Sequence, residues 1–431
     1  NNKHSFDSHL NTYTMKFYLT TAFGLLILLA CGNPKSSNQQ DSNNESDTLS
    51  STENLPPVET KSANTDYEPA FEGQTRAPGL QTKTPYEGVV VNDELSAPWG
   101  IEALPDGRLL ISENRGNFRI FNPETAELSD EIKGIPEVDD KGQGGLLGLT
   151  LDPDFSNNRM IYWVFSEKVT DGNHSAVAKG KLSNDETSIE NPQIIYRSIP
   201  TYDGDKHFGG RVLFDSDGNL FVSIGERSDK GIREQAQNLN STLGTIIRIT
   251  KEGKPVAGNP FENDENALPE IYTYGHRNPQ GIAIHPVTGE LWSNEFGPRG
   301  GDELNLIKPG KNYGWPIITY GIEYSGETIG NPVIQQKEGM EQPVYYWDPV
   351  LSPSGMVFYT GNNIPEWENS LFITGLNSNH IARIVLENNR VVGEERILAN
   401  EGQRFRDITQ ATDGALYTVT DEGRLYKLDK K

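Results

Sequence analysis

The chain is 431 residues long and carries 61 acidic against 38 basic side chains, for a formal net charge of −23. A field of that sign repels phosphate backbones and anionic lipid surfaces, which excludes nucleic acid as an expected partner and suits neutral or cationic ligands, calcium among them. The single cysteine, Cys31, excludes an internal disulfide.

From Met15 the sequence runs MKFYLTTAFGLLILLAC: one Lys, an apolar run, then Ala30 before Cys31. The run is shorter than the roughly 20 residues that a bilayer-spanning helix needs. It reads as a secretory signal over residues 15–31 ending in a lipobox, with residues 1–14 an upstream extension. Cys31 is then the expected site of diacylation, and two acyl chains hold a protein on a membrane far better than one. Gly32 rather than Asp after the cysteine favours the outer membrane. The expected location is therefore the cell envelope, lipid-anchored, on the periplasmic or outer-membrane side. Residues 32–82 are rich in Ser, Asn, Gln, Asp, Glu, Thr and Pro with almost no aliphatic clusters, which predicts a flexible polar tether.

The globular domain is expected over residues 83–431, where one pattern recurs. A short apolar strand, a turn with Asp-Gly or an equivalent, and a second apolar strand appear in GIEALPDGRLLISEN, LGLTLDPDFSNNRMIYWVFS, RVLFDSDGNLFVSIGE, GIAIHPVTGELWSNE, GMVFYTGNNIPEWENSLFITG and DITQATDGALYTVTD. Asp-Gly between apolar runs is a strong hairpin signal, because both central turn positions favour φ above zero. Six such hairpins about 45 to 75 residues apart, with further strands between them, predict an all-β, six-bladed β-propeller of four-stranded antiparallel blades. The early strand YEGVVVND lacks a hairpin partner, and the last blade, ending in RLYKL, is one strand short. The N-terminal strand is expected to complete that blade. The segment from Tyr320 to Pro349 is too long for an ordinary connection and is expected to fold over one face of the disc.

Chemistry concentrates in turn-rich motifs. His207, in DKHFGGR, precedes two glycines at the entry to a strand, where an imidazole titrating near neutrality is a candidate base for a hydroxyl proton. A structural histidine is the alternative. Arg277 and Asn278 stand before Pro279, which fixes the turn. Gln143 lies in the glycine-rich GQGGLLG, and Arg404 and Arg406 flank Phe405 so that both face one side of a strand. The loop FGPRGGDELN offers hard oxygen ligands without a sulfur or imidazole cluster, which favours calcium over zinc. Tyr346 and Trp347 are candidates for an aromatic wall that stacks on a ligand, with core packing the alternative.

Taken together and in this order, GQGGLLG, DKHFGGR, YGHRNPQG, EFGPRGGDELN, KNYGWP and GQRFRD resemble the motif set of the glucose/sorbosone dehydrogenases, nearest to their soluble aldose sugar dehydrogenase type. The resemblance implies oxidation of an aldose at its anomeric carbon to a lactone, with hydride passing to pyrroloquinoline quinone (PQQ) and electrons then to a quinone or cytochrome that the sequence does not name. It makes His207 the base and sets Arg277 against the quinone oxygens. It places Gln143, Asn278, Arg404 and Arg406 around the cofactor, two guanidinium groups suiting a tricarboxylate. One calcium ion would bridge the cofactor and the carbonyls of Gly297 and Pro298; a second would use Glu303 and the carbonyl of Tyr313, with Asp302 nearby. Where glucose-oxidising members have a Lys, this chain has Asn377, which donates a hydrogen bond without charge. His276 and Gln280 are expected to be structural. Two other readings of such a propeller are a calcium-dependent hydrolase of lactonase type, which needs no quinone, and a non-catalytic propeller that binds glycans or proteins.

Overall fold

The structure, a computed structural model, describes residues 55–431. The expected signal segment, Cys31 and the first part of the tether lie outside the described residues. Each of the six hairpins forms, and its turn chemistry sets the register. In the third, Val212, Leu213 and Phe214 pair with Val222, Phe221 and Leu220 across a turn that places Gly218 at φ +80. Among the described residues 24 strands assemble into six four-stranded antiparallel sheets, the six-bladed β-propeller expected. The hairpins supply the two inner strands of every blade. The innermost strands are Pro98–Ala103, Leu146–Leu151, Val212–Phe214, Pro279–Ile284, Pro353–Phe358 and Phe405–Gln410, in blades 1 to 6. In the sixth sheet Tyr86–Asn92 is the outer strand, with Tyr86 opposite Lys430 and Gly88 opposite Leu428.

Successive side chains on a strand point to opposite faces, and here both faces are covered by a neighbouring blade. Strand Met160–Val169 shows the result. Trp163 and Phe165 pack with Leu110 and Phe118 of blade 1, whereas Tyr162 and Val164 pack with Val212 and Val222 of blade 3. Equivalent buried clusters join blades 3 and 4, 4 and 5, 5 and 6, and 6 and 1. Near the axis, Arg211 of blade 3 reaches across to Asp407 of the opposite blade 6, with Nη1 2.6 Å from Oδ2, and the same oxygen accepts the Ile101 amide of blade 1 at 2.9 Å.

Residues 55–82 depart from the tether expected of them. Their apolar content is low, but their backbone groups and arginines find partners on the propeller. The Leu80 amide donates to Glu394 O and the Glu394 amide to Pro78 O, Thr82 binds the Glu395 carboxylate through N and Oγ1 at 2.7 Å each, and the Ala77 amide donates to Tyr345 Oη at 2.9 Å. Glu59 pairs with Arg396 at 2.6 Å. A strap therefore runs along the outer strands of blades 4 and 5. Composition misses it because hydrogen bonds and ion pairs, rather than aliphatic burial, hold it.

Candidate functional site

Topology gathers the sequence motifs. Each inner strand begins, and each second strand ends, on the same face of the disc, so the loops entering a blade and the loops joining its second and third strands share that face. Gln143, His207, Arg277 and Arg404 lie on entry loops; Gly297, Pro298 and Asn377 lie on second-to-third loops. These residues, with Arg406, line one cavity of about 710 Å³, within the range that holds a cofactor and a small substrate. Trp99, Asn114, Gln280, Asp302, Tyr324 and Asp421 also contribute to its walls.

His207 is 5 % exposed and sits at φ +49, a left-handed conformation that costs a non-glycine residue about 1 kcal/mol. Its surroundings hold it there. Its amide donates to Gln143 Oε1 at 2.9 Å, and its carbonyl accepts the Arg227 amide. Gly209 follows at φ +69 against Ser223 O, where a Cβ would approach to 2.5 Å. Nδ1 of His207 lies 2.5 Å from Oε1 of the fully buried Glu226, whose other oxygen accepts the Ser228 amide at 3.0 Å. With Nδ1–H donated to the carboxylate, Nε2 is the unprotonated nitrogen, and it makes no hydrogen bond among the described residues. Burial and the Arg277 charge push the imidazole down to about 4 against the opposing pull of Glu226. It is therefore neutral, and able to accept a proton, across the physiological range.

Arg277 is 7 % exposed and fixed at both ends. Its amide donates to Glu295 Oε2 at 2.6 Å, Nη1 donates to Phe296 O at 3.1 Å and Gly297 O at 2.6 Å, and its guanidinium lies 5.2 Å over Trp315. Its Nε is buried without a partner among the described residues, a donor held in reserve for a ligand. Asn278 does not reach the cavity. It lies behind two residues of the wall, Oδ1 accepting the Gly209 amide at 3.0 Å and Gln280 Nε2 at 3.4 Å, and so braces the His207 loop, while its Nδ2 is buried without a partner among the described residues.

Arg404 and Arg406 do share a face, and between them lies a residue the motif reading missed. Nε of each donates to Asp421 at 2.8 Å, and Arg406 Nη2 adds a third bond at 3.1 Å. The two arginines hold this carboxyl below its ordinary value despite its burial. The cluster keeps a net single positive charge, with Asn377 beside it on the cavity wall.

Below the main cavity a smaller space is lined by Glu295, Glu303, Gly297, Pro298, Tyr313 and Trp315. Asn305 Nδ2 bridges the two carboxylates, 3.0 Å from Glu295 and 3.1 Å from Glu303. Burial and the Glu295 charge raise the Glu303 carboxyl well above the usual range. Asp302, pushed up to about 6 by burial, spends its oxygens on the amides of Gly297, Leu351 and Ser352 and so braces the loop that carries Gly297 and Pro298. His276 and Gln280 bond protein groups: His276 bridges Thr273 and Glu295 and stacks on Tyr313, and Gln280 donates to Gly209 O.

Tyr346 and Trp347 are not a sugar wall. They lie in the outer strand of blade 4, 4 % and 6 % exposed, Tyr346 stacked on Tyr320 and Trp347 edge-on to Tyr345. The strap covers this strand, with the Tyr346 amide donating to Gln74 O. Tyr324, 73 % exposed, is an aromatic that does reach the cavity, carried to its rim by the long blade-4 segment where Ile322 bridges Arg299.

The donor set suits PQQ: the guanidinium groups of Arg277, Arg404 and Arg406, the first with a buried unpaired Nε, and the Asn377 amide line one cavity of sufficient size. A hard cation suits the Glu295–Glu303 pair, whose mutual repulsion it would relieve. Among the described residues no cluster of three or more His, Cys, Asp or Glu side chains forms a metal site on its own.

Comparison with known proteins agrees with this geometry. The chain is 40 % identical over 346 residues, 79 % of its length and 92 % of the relative's, to the aldose sugar dehydrogenase YliI of Escherichia coli K12. Among solved structures it resembles the apo-form of the soluble aldose sugar dehydrogenase from Escherichia coli, with 39 % identity, a TM-score of 0.76, and coverage of 80 % of this chain and 99 % of the other. The PQQ-bound aldose sugar dehydrogenase of Streptomyces coelicolor superposes with a TM-score of 0.66 at 29 % identity, covering 81 % of this chain and all of the other. Residues 95–427 match the family described as Glucose / Sorbosone dehydrogenase, and the chain belongs to that family.

Proposed function

We infer that this protein oxidises aldose sugars at the anomeric carbon to lactones, using PQQ and calcium. The observation that carries the reading is the His207–Glu226 pair, a neutral buried imidazole whose Nε2 shares a cavity with Arg277, Arg404 and Arg406. When bound, PQQ supplies the two-electron acceptor for the hydride that leaves the anomeric carbon. Nε2 of His207 takes the anomeric hydroxyl proton, and the oxygen left behind closes to the lactone carbonyl. Glu226 holds the imidazole in the tautomer that leaves Nε2 free and stabilises the imidazolium that forms. Arg277 sets a fixed cation beside the reacting centre, where a low-dielectric wall strengthens its effect. Arg404, Arg406, Asn377 and Gln143 would hold the cofactor carboxylates and rim. Calcium would be held by the carbonyls of Gly297 and Pro298, and a second ion by Glu303 and the Tyr313 carbonyl with Glu295 adjoining. Diacylation at Cys31 would place the enzyme on the cell envelope, with a quinone or cytochrome as electron acceptor.

Titration of the purified protein with PQQ and calcium, followed by aldoses and an artificial electron-accepting dye, tests the reading. Dye reduction is the expected result. No turnover across a broad sugar panel overturns it, and turnover of lactones without PQQ would favour a hydrolase.

A further inference from the structure

The geometry points to Asn64 as a specificity-determining residue: the strap of residues 55–82 builds one wall of the cavity mouth and so limits which sugars reach His207. The inference rests on the aldose-oxidising reading. Among the residues lining the main cavity, Asn64 is the one that the propeller itself does not supply. It precedes the family match, which begins at residue 95.

A carboxylate latches the strap there. Asp348, 5 % exposed, accepts the Asn64 amide at 2.8 Å and Asn64 Nδ2 at 2.9 Å on Oδ1, and the Thr65 amide at 3.2 Å and Thr65 Oγ1 at 3.1 Å on Oδ2. Arg76 closes the loop behind it by donating to Glu59 O, Lys61 O and Asp348 O. A side chain held by so many bonds is preorganised, and a preorganised group loses little entropy when it meets a ligand.

The chemistry presented at the rim suits sugar hydroxyls. Asn64 Nδ2 spends both hydrogens on protein, on Asp348 Oδ1 and on Pro349 O at 3.0 Å. Its Oδ1 receives Arg299 Nε at 3.1 Å and keeps one lone pair, so it can still accept a hydroxyl hydrogen. Arg299 uses only Nε in this contact, and its two Nη groups donate to no protein group among the described residues. Tyr324 completes the rim with an exposed ring. Acceptor, donors and ring together fit one pyranose, and a wall on the strap side obstructs a second sugar linked in that direction.

The test uses the full chain loaded with PQQ and calcium, the variants Asn64→Ala and Asp348→Ala, and glucose and maltose as probes. Loss of one rim hydrogen bond is expected to raise KM for glucose about 3- to 10-fold. The ratio of kcat/KM for maltose to that for glucose is expected to rise in both variants, while PQQ affinity, read by spectral titration, stays at the wild-type value. Wild-type KM and sugar ratio in both variants overturn the assignment, as does a parallel fall in PQQ affinity, which would make the strap a cofactor element. If the wild-type protein turns over no sugar, the aldose reading falls, and amide exchange over residues 62–66 decides the wall separately. Slower exchange in the presence of glucose supports it, and unchanged exchange overturns it.

Discussion

Nδ1 of His207 stands 2.5 Å from Oε1 of Glu226, and the two groups come from different loops of the same blade. The carboxylate fixes the ring and offsets the positive charge that proton uptake creates. His207→Ala is expected to bind PQQ and lose a factor of about 100 or more in turnover, the usual scale for a general base. Glu226→Gln keeps the shape but removes the charge, and a loss of about 10- to 100-fold is expected. Single-turnover dye reduction measures both. Wild-type turnover in Glu226→Gln would leave the carboxylate a purely structural role.

The pH profile follows from the same pair. Burial and Arg277 hold the imidazole down to about 4, so the base is free above that pH and blocked below it. The acidic limb of kcat/KM is expected near pH 4 rather than at the ordinary histidine value near 6.5. Glu226 favours the imidazolium, so Glu226→Gln should move that limb to still lower pH. A limb that moves upward in Glu226→Gln contradicts the coupling of His207 to Glu226, and one that stays near 6.5 in both proteins contradicts the downward shift.

Much of this is legible in the sequence. The six hairpins announce themselves because each turn needs φ above zero and each strand is apolar on both faces. His207, Arg277, Arg404 and Arg406 are identified by the resemblance of their motifs. The partners Glu226 and Asp421 were missed, although a signal exists: in four blades the second strand ends in an acid or is followed by one within two residues, in LLISE, LFVSIGE, LWSNE and LYTVTD. Those endings put Glu113, Glu226, Glu295 and Asp421 on the face that carries the cavity. Tyr346 and Trp347 misled because an aromatic run outside an obvious hairpin reads as a loop, and nothing in the polar strap announces that it covers them.

Cofactor affinity tests the arginine cluster. Truncating Arg404 or Arg406 to Ala removes a charge-assisted contact, a class of bond contributing about 1.5–3 kcal/mol, so PQQ should bind about 10- to 150-fold more weakly. Asn377→Lys adds a cation on the same wall and should tighten binding several-fold. Equilibrium titration by PQQ absorbance measures all three. Equal affinity across the series would remove the cluster from the cofactor site.

The Glu295–Glu303 pair predicts a thermal response to calcium. Two carboxylates bridged only by Asn305 repel each other, so an ion bound between them stabilises the folded state by mass action. Tm should rise with calcium in the wild-type protein and respond less in Glu303→Gln, which should also be more stable without the ion. An identical calcium response in the variant would place the ion elsewhere.

Arg211 and Asp407 test the centre of the ring. Their 2.6 Å contact joins opposite blades, and Gly355 leaves the room for it, since a Cβ there would meet Asp407 Oδ1 at 1.7 Å. Burial raises the Asp407 carboxyl, and Arg211 and the Ile101 amide oppose the rise, so the carboxylate depends on its partners to stay charged. Removing one partner strands the other in a buried site, which typically costs about 3–5 kcal/mol. Asp407→Ala should therefore lose about that much in urea denaturation. The paired change Arg211→Met with Asp407→Leu removes both charges and should recover a large part of the loss, because a buried ion pair contributes little net stability over an apolar pair of similar volume. If the double variant is as unstable as the sum of the two single changes, the contact holds the blades by its bonds to Ile101 and Gln280 rather than by charge neutralisation.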